Sequence, residues 1–338
     1  MVFLQIVIGG ITRLTESGLS ITKWEVVKGT LPPLSEEAWN TAFELYKSTP
    51  QYREINEGMA LSDFKFIYFW EYIHRFWARM MGFVFLLPFI YFLAKKKLDK
   101  PLLIKLGLVV LLAALAATFG WIMVASGLID RPWVNAYKLS LHLMIALAVF
   151  SVLFYTYLSS LNWHGFRNKD GFPYRVMWTF AALLVIQIFL GGVMSGMKAA
   201  VVFPTWPDIR GEYLPAVLLD ALQWNADNFN KYDSNIFMPS LIHFLHRTTG
   251  YIAFVLGMYF CLSLYKIIRS DSEAKIQLGL IYITFASLML QVTLGIITVL
   301  TSGTGKVSVL WGVLHQGVAI LLLATVVFSI FIHRIGYK

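Results

Sequence analysis

Seven stretches of this chain, at 66–94, 102–125, 138–161, 176–197, 240–265, 276–300 and 308–332, are apolar over twenty or more residues. That is the length an α-helix needs to cross the ~30 Å hydrocarbon core of a bilayer. Composition supports the same class: 58% of residues are hydrophobic and 14% charged, where a soluble domain carries roughly a quarter charged, and the mean hydropathy is +0.66. A shorter apolar run covers 1–12 and ends in Gly9-Gly10-Ile11-Thr12-Arg13, which reads as a helix exit. It has neither the basic n-region nor the small-residue cleavage site of a secretory signal, and it predicts a first helix whose N-terminal half is missing. The expected fold is therefore all-α and polytopic, with eight transmembrane helices in two tandem four-helix bundles.

Orientation follows from lysine and arginine in the loops. Segments 95–105, 162–175, 266–275 and 333–338 carry thirteen basic and four acidic residues; the alternate segments 13–65, 126–137, 198–237 and 301–307 carry eleven basic and fourteen acidic. The first group is expected in the cytoplasm, with both termini inside and the long loops outside. The net charge of +9 is then a topology signal scattered over short loops, and it does not point to a nucleic-acid partner.

Four histidines come as two pairs. His74 and His142 are 68 positions apart, and His246 and His315 are 69 apart. Arginine follows the first member of each pair, as Arg75 and Arg247. All four fall in the first turns of helices running outside to inside, so the imidazoles share a depth in the outer part of the membrane. An ionisable residue inside a span is costly and marks function by default, and neutral imidazole is a common axial ligand of haem iron. Any one of them alone is read as a buried histidine bonded to a neighbouring helix. Four at one depth in two pairs predict two haem sites.

A duplication supports that division. Gln5-Ile6-Val7-Ile8-Gly9-Gly10-Ile11 matches Gln187-Ile188-Phe189-Leu190-Gly191-Gly192-Val193, and Gly120 to Gly127 resembles Gly295 to Gly303 more weakly. Two halves are expected, at 1–161 and 162–338.

On the second helix Glu71, His74, Arg75 and Arg79 share one face by their spacing. A carboxylate one turn from a ligand histidine can take protons from a substrate or a water. The other reading is an ion pair of Glu71 with Arg75 or Arg79, and both stand. The sixth helix has His243 where the second has Glu71, and His243 is read as an interfacial residue without a ligand role. Guanidinium groups pair with carboxylates in a bidentate manner, so haem propionates are candidate partners of Arg75 and Arg247; lipid headgroups are the alternative. His164 and His333 are read as solvated.

Cys261 is the only cysteine, so no disulfide, iron–sulfur site or covalent haem-attachment pair is expected. The phosphate-binding glycine loop and the dinucleotide fingerprint are missing. Outer loop 13–65, with Pro32-Pro33, Trp24, Trp39 and a charge run from Glu36 to Glu57, predicts a short amphipathic element over the membrane face, lidding the first site.

The run Gly9-Gly10-Ile11-Thr12-Arg13-Leu14-Thr15-Glu16-Ser17-Gly18-Leu19-Ser20, then Glu71-Tyr72-Ile73-His74-Arg75, His246-Arg247 and Leu314-His315-Gln316, resembles the haem A synthase (Cox15/CtaA) family over essentially the whole chain. The resemblance is to the branch that lacks a cysteine pair in the first outer loop. It implies oxidation of the C8 methyl of haem O to a formyl group, giving haem A for terminal oxidases. It further implies that His74 and His142 hold the substrate haem, that His246 and His315 hold a haem b relaying electrons, and that Glu71 acts beside the reacting methyl. A bacterial cytoplasmic (inner) membrane location follows, with haem O, membrane lipid, a haem O synthase and an electron acceptor as partners and a homo-oligomer as a further expectation. Two rivals remain: a bis-histidine cytochrome b exchanging electrons with quinone without altering its haem, and a two-repeat transporter, although transporters place polar residues at interrupted helices near the midplane.

Overall fold

A computed structural model describes residues 1–22, 31–129, 131–161, 171–269 and 274–335; Trp24 and His164 lie outside the described residues. The described residues form helices α1 (Val2–Leu14), α2 (Glu36–Lys47), α3 (Pro50–Glu54), α4 (Leu61–Ala94), α5 (Lys100–Ala125), α6 (Ala136–Ser160), α7 (Tyr174–Gly196), α8 (Ala199–Val202), α9 (Ala226–Asn230), α10 (Phe237–Ile268), α11 (Lys275–Thr301) and α12 (Val309–Ile335), and no strand is found among them. Seven of these, α4 to α7 and α10 to α12, are long and apolar enough to cross a membrane, and α1 is a shorter apolar helix. The protein is thus an all-α, multi-pass integral membrane protein.

The long helices keep large apolar side chains on the outside. Leu87 is 64% exposed and Val255 66%, a surface that water would penalise and lipid tails solvate. Caps define the polar ends. Asp99 accepts from the amide of Leu102 to start α5, with Pro101 in the first turn, where a missing N–H costs nothing.

The chain divides into two compact units, Met1–Ala146 and Leu147–Lys338. The division falls inside α6 because the later part of that helix packs with α11 and α12: Leu158 is buried with Leu280, Phe331 and Ile332, and Phe154, Tyr155 and Phe328 close around them. In the first unit α1 packs along α4. In the second, α7, α10, α11 and α12 pack together, with Phe180 and Leu288 pressed against the Gly257 backbone, where a Cβ would meet them at 2.8 Å. His333, read from the sequence as solvated, stacks on Phe172 with ring centroids 4.7 Å apart.

The 13–65 loop does contain a short amphipathic element among its described residues. Ser35 caps α2, accepting from the Ala38 amide at 3.2 Å, and Glu36 and Glu37 fill the first turn, where the helix dipole favours them. The inner face of α2 lays Phe43 and Tyr46 on Phe64 and Ile67 of α4, with Trp39 and Tyr52 around the edge. Tyr46 is fully buried, accepts from Asn56 Nδ2 at 2.7 Å and donates to Gln51 Oε1 at 3.1 Å. The Gln51 amide in turn donates to the Glu16 carbonyl at 2.9 Å, tying the element back to the end of α1.

Candidate functional site

Each of the four span histidines lies against a glycine of a neighbouring helix. His74 on α4 faces Gly9 of α1, and His142 on α6 faces Gly120 of α5; His246 on α10 faces Gly191 of α7, and His315 on α12 faces Gly295 of α11. A Cβ built on these glycines would lie 3.2, 3.0, 3.0 and 2.9 Å from the respective ring. A Cβ at Gly295 would force its neighbour to shift, and at Gly9, Gly120 and Gly191 the ring would have to give by a few tenths of an ångström, so glycine here serves close approach and not backbone freedom. His142 lies near enough to His74, and His315 to His246, to act on its ring electrostatically. The two sequence pairs are therefore brought together, one within each unit.

The ring nitrogens are oriented by the same neighbouring helices. His315 Nδ1 donates to the Gln291 carbonyl at 3.1 Å, and the Gln291 side-chain amide lies 3.4 Å from Nε2. Gln187 Nε2 lies 3.4 Å from His246 Nε2. The backbone carbonyls of Ala116 and Gln187 lie near the rings of His142 and His246, whose Nδ1 atoms have no hydrogen-bond partner among the described residues. A histidine whose Nδ1–H is directed at a carbonyl presents the Nε2 lone pair, the form that binds a metal.

Glu71 and Arg75 are one turn apart and both engaged. Glu71 is buried; its Oε1 accepts from Arg75 Nη2 at 2.5 Å, and its Oε2 accepts from Ser20 Oγ at 2.7 Å and from the Ile21 amide at 2.8 Å. Arg75 Nη2 also donates to the Ile21 carbonyl at 3.1 Å. Of the two arginines that the spacing offered to Glu71, Arg75 closes the pair. In the second unit Arg247 is buried and donates to the carbonyls of Pro207, at 2.8 Å, and Tyr213. Each arginine beside a site histidine thus fastens the loop that follows the preceding helix. A headgroup role for Arg247 does not agree with its burial under that loop. His243, expected at the lipid interface, is also buried: it stacks at 7° on Phe203, and its Nδ1 has no hydrogen-bond partner among the described residues.

The residues present fit an iron porphyrin held between the members of each pair. They offer paired imidazoles, glycine-lined contact surfaces and, among the described residues, buried acceptors without partners at Gln5 Oε1 and Gln291 Oε1. No group of three or more histidine, cysteine or carboxylate side chains suited to a bare metal ion occurs among the described residues, so two imidazoles and a macrocycle suit the donor set better than a protein-only site.

The profile of the COX15-CtaA family, described as cytochrome oxidase assembly protein, matches residues 1–327. The chain belongs to this family. Relatives named "Heme A synthase" include one from a Bradyrhizobium species, 38% identical over 327 residues, covering 96% of this chain and 85% of that protein. One from Nitrosospira multiformis is 37% identical over 325 residues, covering 95% and 87%. Another from Flavobacterium psychrophilum is 38% identical over 340 residues, covering 99% and 94%.

For this COX15-CtaA protein, sequence reasoning found the histidines, arginines and Glu71 but missed their supports. Ser20 lay in the motif that carried the resemblance without a role assigned to it. Gln5, Gln187 and Gln291 each precede a site glycine by four positions. That places amide and glycine on one helix face, a regularity that could have been read from the sequence.

Proposed function

We propose that this protein is a haem A synthase, oxidising the C8 methyl of haem O to a formyl group to give haem A for terminal oxidase assembly. The observation that carries the reading is the doubled histidine-on-glycine arrangement with a buried carboxylate beside only one of its copies. Relatives similar along the chain bear the name of that activity.

In this reading the halves are 1–161 and 162–338. His74 and His142 hold the substrate haem, and His246 and His315 hold a haem b. Methyl plus one water to aldehyde releases four electrons and four protons at one carbon, and a haem b held by His246 and His315 would supply a one-electron relay for electrons leaving to the acceptor. Glu71 is the residue that holds or moves a proton beside the reacting methyl. Its three donors keep it in place, and of these only the Ser20 hydroxyl can rotate away without unpairing a charge or a backbone amide. Arg75 balances the carboxylate where an unpaired buried charge would be costly. Arg75 and Arg247 serve haem binding by holding the loops over their sites, with propionates as further partners.

The protein belongs to a bacterial inner membrane with both termini in the cytoplasm and the histidines toward the outer face. Haem O comes from a haem O synthase, and electrons leave to a membrane acceptor. The test is pairwise. His74→Ala or His142→Ala should abolish conversion of haem O while the haem b spectrum persists; His246→Ala or His315→Ala should remove that spectrum. If all four variants instead lost one and the same haem B signal, the chain would be a plain electron-carrying cytochrome and the proposal would fail.

A further inference from the structure

Two of the hydrogen bonds that hold Glu71 come from outside α4, and both donors sit on one short turn. The Ser20 hydroxyl donates to Oε2 at 2.7 Å, and the Ile21 amide donates to the same oxygen at 2.8 Å. The turn follows α1 and is tightly wound. The Ser17 amide donates to the Thr12 carbonyl at 2.9 Å, the Ser20 amide donates to the Ser17 carbonyl at 3.2 Å, and the Thr15 and Ser17 hydroxyls lie 2.6 Å apart. Ser17, Leu19 and Ser20 are buried. A segment bonded in this way moves as a piece, so whatever holds one end of it sets the position of the other.

The holding point is Glu16. Its φ of 57° is left-handed, a conformation that residues with a side chain adopt at a cost and that the surroundings must support. Its carbonyl accepts from Gln51 Nε2 at 2.9 Å. Gln51 belongs to α3, is buried, and is itself oriented. The Tyr46 hydroxyl donates to its Oε1 at 3.1 Å, which turns the NH2 toward Glu16, and Asn56 Nδ2 donates to the Tyr46 oxygen at 2.7 Å. Tyr46 also lies near enough to Glu16 and Glu71 to interact electrostatically with both side chains.

The second unit closes the same turn differently. The matching residue, 182 positions on, is Lys198, and it too is left-handed, with φ 53°. Its carbonyl accepts from the amides of Val201 and Val202, at 2.9 and 3.3 Å, as α8 begins. Val202 and Phe203 stand at the places of Ser20 and Ile21, and Phe203 stacks on His243 where the first unit has Glu71. The turn is thus closed by its own helix in one unit, and held by a side chain of the outer element in the unit that carries the acid.

We propose that Gln51 is a positioning residue for Glu71: by holding the Glu16 carbonyl it fixes the turn that presents Ser20 and Ile21, so the carboxylate is set in place only when α2 and α3 are seated on α4. This rests on the reading of Glu71 as the group that handles a proton beside the reacting methyl. A misplacement of about 1 Å at a reacting group can cost on the order of 100-fold in rate, so a bond remote from the carboxylate becomes a condition of turnover.

The test uses the full-length protein purified with its haems, as wild type, Gln51→Leu, Tyr46→Phe, Ser20→Ala, and Lys47→Ala as the control on the exposed face of α2. In protein labelled with 13C-carboxyl glutamate, subtraction of the Glu71→Gln infrared spectrum isolates the Glu71 band. Ser20→Ala removes a donor outright and gives the reference shift. Gln51→Leu should move the band in the same direction and lower turnover of haem O by about 10–100-fold, with the haem O concentration for half-maximal rate unchanged. Tyr46→Phe should do the same to a smaller extent, and it keeps the ring that fills the core should Gln51→Leu not fold. Lys47→Ala should change neither band nor rate. A band at the wild-type position in the folded variants would overturn the proposal whatever their turnover, and so would a shifted band with wild-type turnover. Normal conversion by Glu71→Gln would instead remove the reading of Glu71 beneath it. The two failures are told apart because the band reports the carboxylate's surroundings with or without catalysis.

Discussion

Replacing Gly295 with alanine tests whether the site glycines are there for imidazoles. The new Cβ would lie 2.9 Å from His315 Cε1 and 3.4 Å from Nδ1, whereas carbon atoms rest about 3.5–4.0 Å apart. The ring must withdraw by roughly 0.6–1.1 Å on that contact distance, which breaks the 3.1 Å bond from Nδ1 to the Gln291 carbonyl. Overpacking costs about 1–3 kcal/mol and the lost bond about 0.5–1.5 kcal/mol, against about 1 kcal/mol gained by alanine over glycine in a helix interior. The net is a loss of roughly 0.5–3.5 kcal/mol on the same figures. Gly279 on the same helix is the control, because a Cβ there meets nothing within 4 Å. Gly279→Ala should raise stability by up to about 1 kcal/mol through helix propensity alone. The assay is thermal unfolding in detergent alongside haem B per polypeptide. Gly295→Ala should melt earlier and lose haem B, while Gly279→Ala should do neither. If the two variants behaved alike, the glycine–imidazole contact would have no role in binding.

Other consequences follow from particular contacts. Ser20→Ala removes one donor to the buried Glu71 carboxylate and should cost about 1.5–3 kcal/mol, the range for a hydrogen bond to a charge, read as a lowered melting temperature. Glu71→Gln should abolish or strongly depress conversion of haem O while leaving haem B bound, measured by pigment extraction; normal conversion would remove Glu71 from the chemistry. Arg247→Lys keeps the charge but loses the fork that reaches both Pro207 and Tyr213, so limited proteolysis should cut the 203–236 segment faster. Burial pushes the Tyr46 phenol up to about 12, against the opposing hydrogen bond from Asn56. With the folded value raised, the neutral phenol's contribution is complete below about pH 10 and is lost as pH rises through about 12. The ultraviolet difference spectrum between wild type and Tyr46→Phe should place that late phenolate near pH 12.

The membrane class was legible because apolar runs of bilayer length admit few alternatives, and the observed helices overlap the expected spans. The histidine pairing was legible because two nearly equal spacings stand out in the sequence, and His142 lies close enough to His74, and His315 to His246, to act on its ring electrostatically. What stayed hidden depends on contacts between distant residues. Nothing local to Glu71 shows that Ser20 and Ile21, fifty positions earlier, complete its shell. The amides of Gln5 and Gln187 share a repeated motif yet find different partners, the His74 carbonyl in one case and, for Gln187, an orienting bond from Thr249 on the facing helix. His243 was misplaced at the lipid interface because its burial comes from Phe203 and the loop beyond α7, which no helical periodicity on α10 reports.

The most direct measurement is mass identification of the pigments extracted from protein purified from cells that make haem O, for wild type and for the His142→Ala and His315→Ala variants. Two unlike sites predict haem B with haem O or haem A in the wild type, haem B alone in His142→Ala, and loss of haem B in His315→Ala. Haem B as the single pigment of the wild type, even after reconstitution with haem O, would contradict the account.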